Sequence, residues 1–173
     1  MQIVDNVLEP DQFKTLQDIM LGTELPWYYN PFVTYFPTRD DYTSNLADHE
    51  GSKLTHTFWR PLEGPTSQYY QYLLPLLSKL NTQHVVKIKA NCLLKTNTIV
   101  EHVPHVDTRV NCTTVVYYLN TTNGYTHFEE SGEKVDTIEN RAIIFNSRQW
   151  HGGTSCTDAA RRIVLNINIH EEE

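Results

Sequence analysis

In the stretch EHVPHVDTRV, His105 and Asp107 stand two residues apart. On an extended chain alternate side chains leave the same face, so this imidazole and this carboxylate can chelate one ion. The pair is a weak motif alone, because eight histidines and nine aspartates in 173 residues yield about 0.4 such pairs by chance. His151, in RQWHGGTS, supplies a third candidate ligand. Two imidazoles and one carboxylate occupy three corners of an octahedron and leave the others open, an arrangement used for Fe(II) that must bind both a cosubstrate and O₂. His102, three residues before His105, offers an alternative His-x-x-His-x-Asp set for zinc. A zinc hydrolase would also need a general base, and none lies close to the triad in sequence. His127 and His170 have no partner motif and read as surface or supporting residues. Glu129, Glu130 and the three glutamates at 171–173 read as solvated charge.

After His151 comes ARRIVLNINI, whose alternation puts Ile163, Leu165, Ile167 and Ile169 on one face and Arg162, Val164, Asn166 and Asn168 on the other. The plain reading of the second face is a solvated outer surface, as antiparallel sheets often have. Beside an iron site the same face has another use. 2-Oxoglutarate chelates iron by its 2-oxo acid end, and its distal carboxylate then needs a charge-assisted, preferably bidentate, partner in a buried pocket. Arg162 can supply it. Arg161 leaves the opposite face, and parity with Asn166 and Asn168 favours Arg162.

The elements that must position these residues fall in two parts. Residues 11–21 place Phe13, Leu16, Ile19 and Met20 at helical spacing behind Pro10, with Gly22 as a stop. Residues 25–60 lack a clean period and predict long loops, with a short strand around 55–59. In the Tyr-rich run at 25–37, packing of the rings onto the barrel is favoured over a stacking platform. A second helical pattern at 67–80 carries Tyr70, Leu73, Leu74, Leu77 and Leu80, and Pro75 should kink or restart it. From residue 84 the signals are β, over 84–94, 99–107, 112–120, 125–129, 134–138, 141–146 and 161–169. The run at 112–120 is almost continuously apolar and predicts a strand buried on both faces, while Asn123–Gly124 signals a turn. The expected architecture is α+β, mainly β: one domain over 1–173, with a helical and loop layer at 1–83 on an antiparallel β-roll core at 84–169.

The runs HVDTRVNCTTVVYYLNTTN, ENRAIIFNSRQWHGGTS and ARRIVLNINI resemble the prolyl 4-hydroxylase branch of the 2-oxoglutarate/iron(II) oxygenases, especially the short forms found in tailed phages. The resemblance spans about residues 84–169. It implies a double-stranded β-helix (jelly-roll) whose barrel holds iron on His105, Asp107 and His151. Tyr118, the second tyrosine of YYLN, matches a tyrosine that helps to hold the distal carboxylate, and Arg162 matches the basic residue paired with it. The implied reaction is hydroxylation of a substrate C–H bond with Fe(II), 2-oxoglutarate and O₂, giving succinate and CO₂. The implied substrate is peptidyl proline first, another protein side chain next and a modified nucleobase third. Where several family members place a further tyrosine on the strand before His-x-Asp, this chain reads NCLLKTN. The rival reading from another class is a non-catalytic β-roll used as a binding module. The cationic Arg162 argues against it, since a structural barrel has no use for an interior charge.

Composition is compatible with this reading and excludes others. An apolar fraction of 39% and an aromatic fraction of 11% mark a chain able to build a core. A net charge of -7 argues against a nucleic-acid partner gripped by broad phosphate neutralisation, although a local basic strip is compatible with it. Neither a membrane-length apolar run nor a signal-peptide pattern is present, so the expected location is cytoplasmic, that of the host if the chain is phage-encoded. Cys92, Cys112 and Cys156 are odd in number without CxxC spacing and predict reduced thiols. Oligomeric state is not encoded in any of these signals.

Overall fold

The computed structural model describes residues 1–33, 51–82, 84–108 and 111–170; residues 34–37 of the Tyr-rich run and the glutamates at 171–173 lie outside the described residues. Strands β1 (Gln2–Val4), β2 (Tyr28–Asn30), β3 (Lys53–Arg60), β4 (Gly64–Pro65), β5 (Val85–Leu94), β6 (Thr113–Tyr118), β7 (Tyr125–Phe128), β8 (Lys134–Asp136), β9 (Ala142–Asn146), β10 (His151–Gly153) and β11 (Arg161–Ile169) form two antiparallel sheets. The larger runs β1-β9-β6-β11-β5-β3-β2 with β4 on β3, and the smaller runs β10-β7-β8. Helix α1 (Pro10–Leu21), a 3-10 helix (Gln68–Leu73) and α2 (Leu74–Lys79) complete the described elements. None of these helices is long and apolar enough to cross a membrane.

Strand parity builds two apolar layers. Ile163, Leu165 and Ile167 join Ile88, Ala90 and Tyr117 against Leu16, Met20, Leu73 and Leu76 of the helices. The opposite face of the larger sheet, through Val116, Tyr118, Ile143 and Val164, meets Phe128 and Val135 of the smaller sheet. All six residues of β6 are buried, as its unbroken apolar run requires. Pro75 stands in the first turn of α2, so it restarts a helix rather than interrupting one. The three cysteines are free and buried.

Several expectations are corrected. Residues 99–107 form no continuous strand, only single bridges at Glu101 and His105; Pro104 between them has no N–H to donate to a ladder. His151–Gly153 is a short strand with no expected counterpart, because two glycines hide its pattern. The N-terminal part holds more strands than the one expected around 55–59, which is β3: β1 joins one end of the larger sheet, and β2 and β4 pair with β3 at the other. On the edge strand β2, Tyr29 is 70% exposed, and Tyr28, 62% exposed, meets the barrel only by stacking on His56 at 6.3 Å between ring centres. Leu74 is turned outward by the break between the two short helices. The polar face of β11 is no solvated surface, since Arg162 and Asn168 are each 1% exposed.

Asn140 ties the N-terminal segment to the barrel. Its backbone is left-handed at φ 58°, a conformation that asparagine tolerates better than most residues. Its Oδ1 accepts from Leu8 N at 2.9 Å and from Tyr117 OH at 2.7 Å, while Nδ2 donates to Leu8 O at 2.9 Å. Asn140→Ala should lower unfolding free energy in urea by about 2–5 kcal/mol, because it leaves buried polar groups unpartnered.

Candidate active site

The backbone brings the three candidate ligands together before their side chains do. His105 N donates to His151 O at 2.8 Å and His151 N returns the bond to His105 O at 3.1 Å, so the loop and β10 face one another as an antiparallel pair. Asp107 N donates to Ser147 O at 3.2 Å, anchoring the next turn of the same loop. One ligand atom from each of His105, Asp107 and His151 lies within 4.8 Å of the others. Nε2 of His105 is 3.8 Å from Asp107 Oδ1, and Nε2 of His151 is 3.7 Å from Oδ2. Nδ1 of His151 faces Gln149 O at 2.9 Å; a carbonyl only accepts, so Nδ1 carries a proton and Nε2 is the ring atom directed at the carboxylate.

Asp107 is oriented by the larger sheet. Asn166 Nδ2 donates to both carboxylate oxygens at 3.0 Å, Thr114 Oγ1 to Oδ2 at 2.8 Å and Asn168 Nδ2 to Oδ2 at 3.4 Å. Burial alone would raise its pKa, but His151, His105 and the donors from Asn166 and Thr114 outweigh it and bring the carboxyl to about 2. Burial, reinforced by His151, pushes the His105 imidazole down to about 4. At neutral pH the cluster is therefore a carboxylate with a neutral His105, the protonation state that a metal ligand set requires.

Arg162 sits in the same cavity as His105, His151 and Asn166. Its Nε donates to Thr137 Oγ1 at 2.7 Å and Nη2 to Thr126 Oγ1 at 3.2 Å, and its guanidinium lies 5.5 Å from the centre of the Tyr118 ring. Tyr118 OH also donates to Thr126 Oγ1, at 2.8 Å. No described carboxylate forms an ion pair with Arg162, and burial lowers its pKa from the usual value. Gly124 makes room for it: a Cβ there would stand 2.8 Å from Arg162 Cδ and 2.6 Å from Ser155 O. This glycine, expected as a turn residue, is needed for close approach, since its φ is not left-handed. Arg161 points the other way and donates to Leu21 O at the end of α1.

His102 does not join the ligand set; among the described residues the metal-competent group is His105, Asp107 and His151. It lines the cavity, buried to 3% exposure, with its imidazole pushed down to about 3 first by burial and then by Arg162. His127 supports it, placing Nε2 3.2 Å from His102 O. His102 Nδ1, Asn91 Oδ1 and Asn166 Oδ1 are buried without partners, and all three residues line this one cavity. Such atoms mark a space built for a polar occupant. Thr114, Thr126, Thr137 and Asn91 carried no distinguishing sequence signal, since threonine is common in strands for its shape alone. Asn166 and Asn168 were visible through their parity with Arg162.

Neither a protein-family model nor a curated protein matches the sequence. Solved structures do match. An oxidoreductase of the 2OG-Fe(II) oxygenase family from Burkholderia pseudomallei has a TM-score of 0.63 at 12% identity, over 99% of this chain and 85% of that one. A Trichoplax adhaerens prolyl hydroxylase, in complex with a hypoxia inducible factor oxygen degradation domain peptide fragment, has a TM-score of 0.60 at 14% identity, covering 98% and 82%. The viral collagen prolyl hydroxylase from Paramecium Bursaria Chlorella virus-1, as its 2OG complex, has a TM-score of 0.54 at 14% identity, covering 99% and 96%. The chain has the double-stranded β-helix fold of the 2-oxoglutarate/iron(II) oxygenases. Within that fold class, prolyl hydroxylases are among its structural neighbours.

Two outcomes follow from this geometry. Asn166→Ala and Thr114→Val should each weaken Mn(II) binding by about 10–100-fold in calorimetry, the usual loss when a group orienting a ligand is removed. His102 has a folded pKa near 3 and an unfolded value near 6.5, so it adds no pH dependence above 6.5 and destabilises the fold as pH falls below it. The metal-free melting temperature should therefore drop between pH 6.5 and pH 4, and His102→Leu should flatten part of that drop.

Proposed function

We propose that the protein is an Fe(II)- and 2-oxoglutarate-dependent dioxygenase that hydroxylates a C–H bond, with peptidyl proline or another protein side chain as its substrate. The observation that carries this reading is Arg162, a buried cation without a described carboxylate partner, in the cavity that also holds the His-Asp-His cluster. A buried charge is costly unless paired, and a dicarboxylate with one end on a metal offers the missing anion.

The donor set fits Fe(II). Two imidazole nitrogens and one carboxylate suit this ion and leave coordination positions for other groups. His105, Asp107 and His151 would hold it, and when bound it supplies the redox chemistry that couples conversion of 2-oxoglutarate to succinate and CO₂ with O₂-dependent hydroxylation. The chain's own part is placement. Arg162 would receive the distal carboxylate through its remaining guanidinium N–H groups, while Thr126, Thr137 and the Tyr118 ring fix its plane. Phe145 and Phe128 flank His151, at ring separations of 4.7 and 6.2 Å, and keep water from its far side. Peptide is favoured because a structural neighbour is a prolyl hydroxylase in complex with a peptide fragment.

The test is titration of 2-oxoglutarate into protein saturated with iron under anaerobic conditions. Arg162→Ala should weaken cosubstrate binding by about 2–5 kcal/mol, roughly thirty- to several-thousand-fold, with iron affinity nearly unchanged. Arg162→Lys should recover part of the loss by restoring charge without the fork. Arg161→Ala should have little effect, because its side chain meets α1 on the opposite face. His105→Ala, Asp107→Ala and His151→Ala should each abolish tight iron binding and the thermal stabilisation that iron confers. Unchanged 2-oxoglutarate affinity in Arg162→Ala would sink the cosubstrate assignment.

A further inference from the structure

The inner face of the larger sheet separates charge in a way the metal and cosubstrate do not account for. Inward positions on β5 and β11 carry three cations, Lys87, Lys89 and Arg162, and no carboxylate. The chain as a whole has 14 lysines and arginines against 21 aspartates and glutamates. On β5, Lys89 stands opposite Asn166 and Lys87 opposite Asn168, the two asparagines that hold Asp107. Lys53 lines the cavity beside His105.

Lys87 and Lys89 are half-buried on a central strand, and neither makes an ion pair or a side-chain hydrogen bond with a described residue. Burial, and then the like charge of Lys87, holds Lys89 below the usual lysine range. Two like charges placed side by side and partly desolvated are unfavourable unless an anion joins them. The site's other charges do not provide it. Asp107 is already engaged by two imidazoles and three donors, and a divalent cation and a dianionic cosubstrate balance Asp107 and Arg162.

We propose that this strip binds an anionic substrate, namely an extended polypeptide segment with carboxylates at alternate positions beside the residue to be hydroxylated. The inference rests on the oxygenase reading above and names its substrate class. Lys87 and Lys89 lie two residues apart on one strand, so their repeat is about 6.6 Å, the spacing of same-face side chains in an extended peptide. The buried Asn91 Oδ1, next along the same face, has no partner and accepts only, so it calls for a donor such as a peptide N–H. A DNA backbone has none along its length, and an RNA backbone offers only its 2′-hydroxyls. A long polyanion would also meet the repulsion of a chain whose net charge is -7, whereas a short acidic segment meets the strip alone.

The test uses fluorescence polarisation with the full chain at low salt, without iron or 2-oxoglutarate. The probes are labelled peptides of about twelve residues with one central proline and glutamate, glutamine or lysine at alternate positions, and a thymidine oligonucleotide of matched charge. The parent should bind the glutamate peptide at least about tenfold more tightly than the glutamine peptide, a gain of about 1.4 kcal/mol. K87Q/K89Q should erase that preference, and K87E/K89E should turn it toward the lysine peptide, which a merely structural pair of lysines would not do. Should a double variant fail to melt cooperatively, K87Q and K89Q singly should each reduce the preference. Equal binding of the glutamate and glutamine peptides by the parent, a preference that survives these substitutions, or tighter binding of the oligonucleotide would overturn the proposal. Because no cosubstrate is present, a failed 2-oxoglutarate titration would remove the oxygenase reading without deciding this one.

Discussion

The arrangement on which the rest depends is a guanidinium taken out of water without a described carboxylate to meet it. Desolvation of a cation is expensive, and Arg162 offsets it with neutral partners alone: two threonine hydroxyls, the Thr154 carbonyl and the face of Tyr118. Such partners orient a charge better than they neutralise it. Much of the surrounding structure can be traced to accommodating this side chain. Gly124 clears space for its stem, and a Cβ on Gly153 would come within 3.3 Å of Nη1. Thr126 serves both Arg162 and Tyr118, so the positions of the two are set together.

The His-Asp-His cluster shows the complementary device, an anion surrounded by donors. Asp107 comes from an irregular loop, yet its carboxylate is held by Asn166, Asn168 and Thr114 on two neighbouring strands of the larger sheet. The loop supplies the candidate ligand and the sheet supplies its direction. The reciprocal backbone pair between His105 and His151 does the same for the imidazoles, since it fixes the separation of their Cα atoms independently of any ion. Gly152, on β10 of the smaller sheet, is part of this construction: a Cβ there would lie 2.5 Å from His127 Nε2 and 2.6 Å from His102 O. The loop at His102 and the His127 ring can approach β10 this closely because that position has no side chain.

Charge is partitioned by face. Acidic residues outnumber basic ones in the sequence as a whole, while the charged residues at the inner positions of β5 and β11 are cations. Arg141 pairs with Asp5, and Lys134 with Glu101, on the outside, where such pairs contribute little beyond solubility. Inside, partly desolvated charges act over short distances in a lower dielectric, so a few of them decide what the cavity accepts.

The strongly periodic parts of this fold were legible in the sequence. β11 occupies the expected residues 161–169, β6 is the doubly buried strand its apolar run implies, and α1 begins at Pro10 and ends before Gly22. The candidate ligands were legible through residue type and spacing, and Arg162 through its parity with two asparagines. Local pattern suffices there because backbone periodicity alone dictates which side chains share a face. What tertiary structure alone decided depends on contacts between residues far apart in the chain. The bridge pairing His105 with His151, the hydroxyls of Thr126 and Thr137 that receive Arg162, and the addition of β1, β2 and β4 from the N-terminal part have no periodic signal. The alternation on β11 gave two readings for its polar face, solvated or interior. Only the smaller sheet folding over it made that face the wall of a cavity, because burial belongs to the packing of layers and not to any one strand.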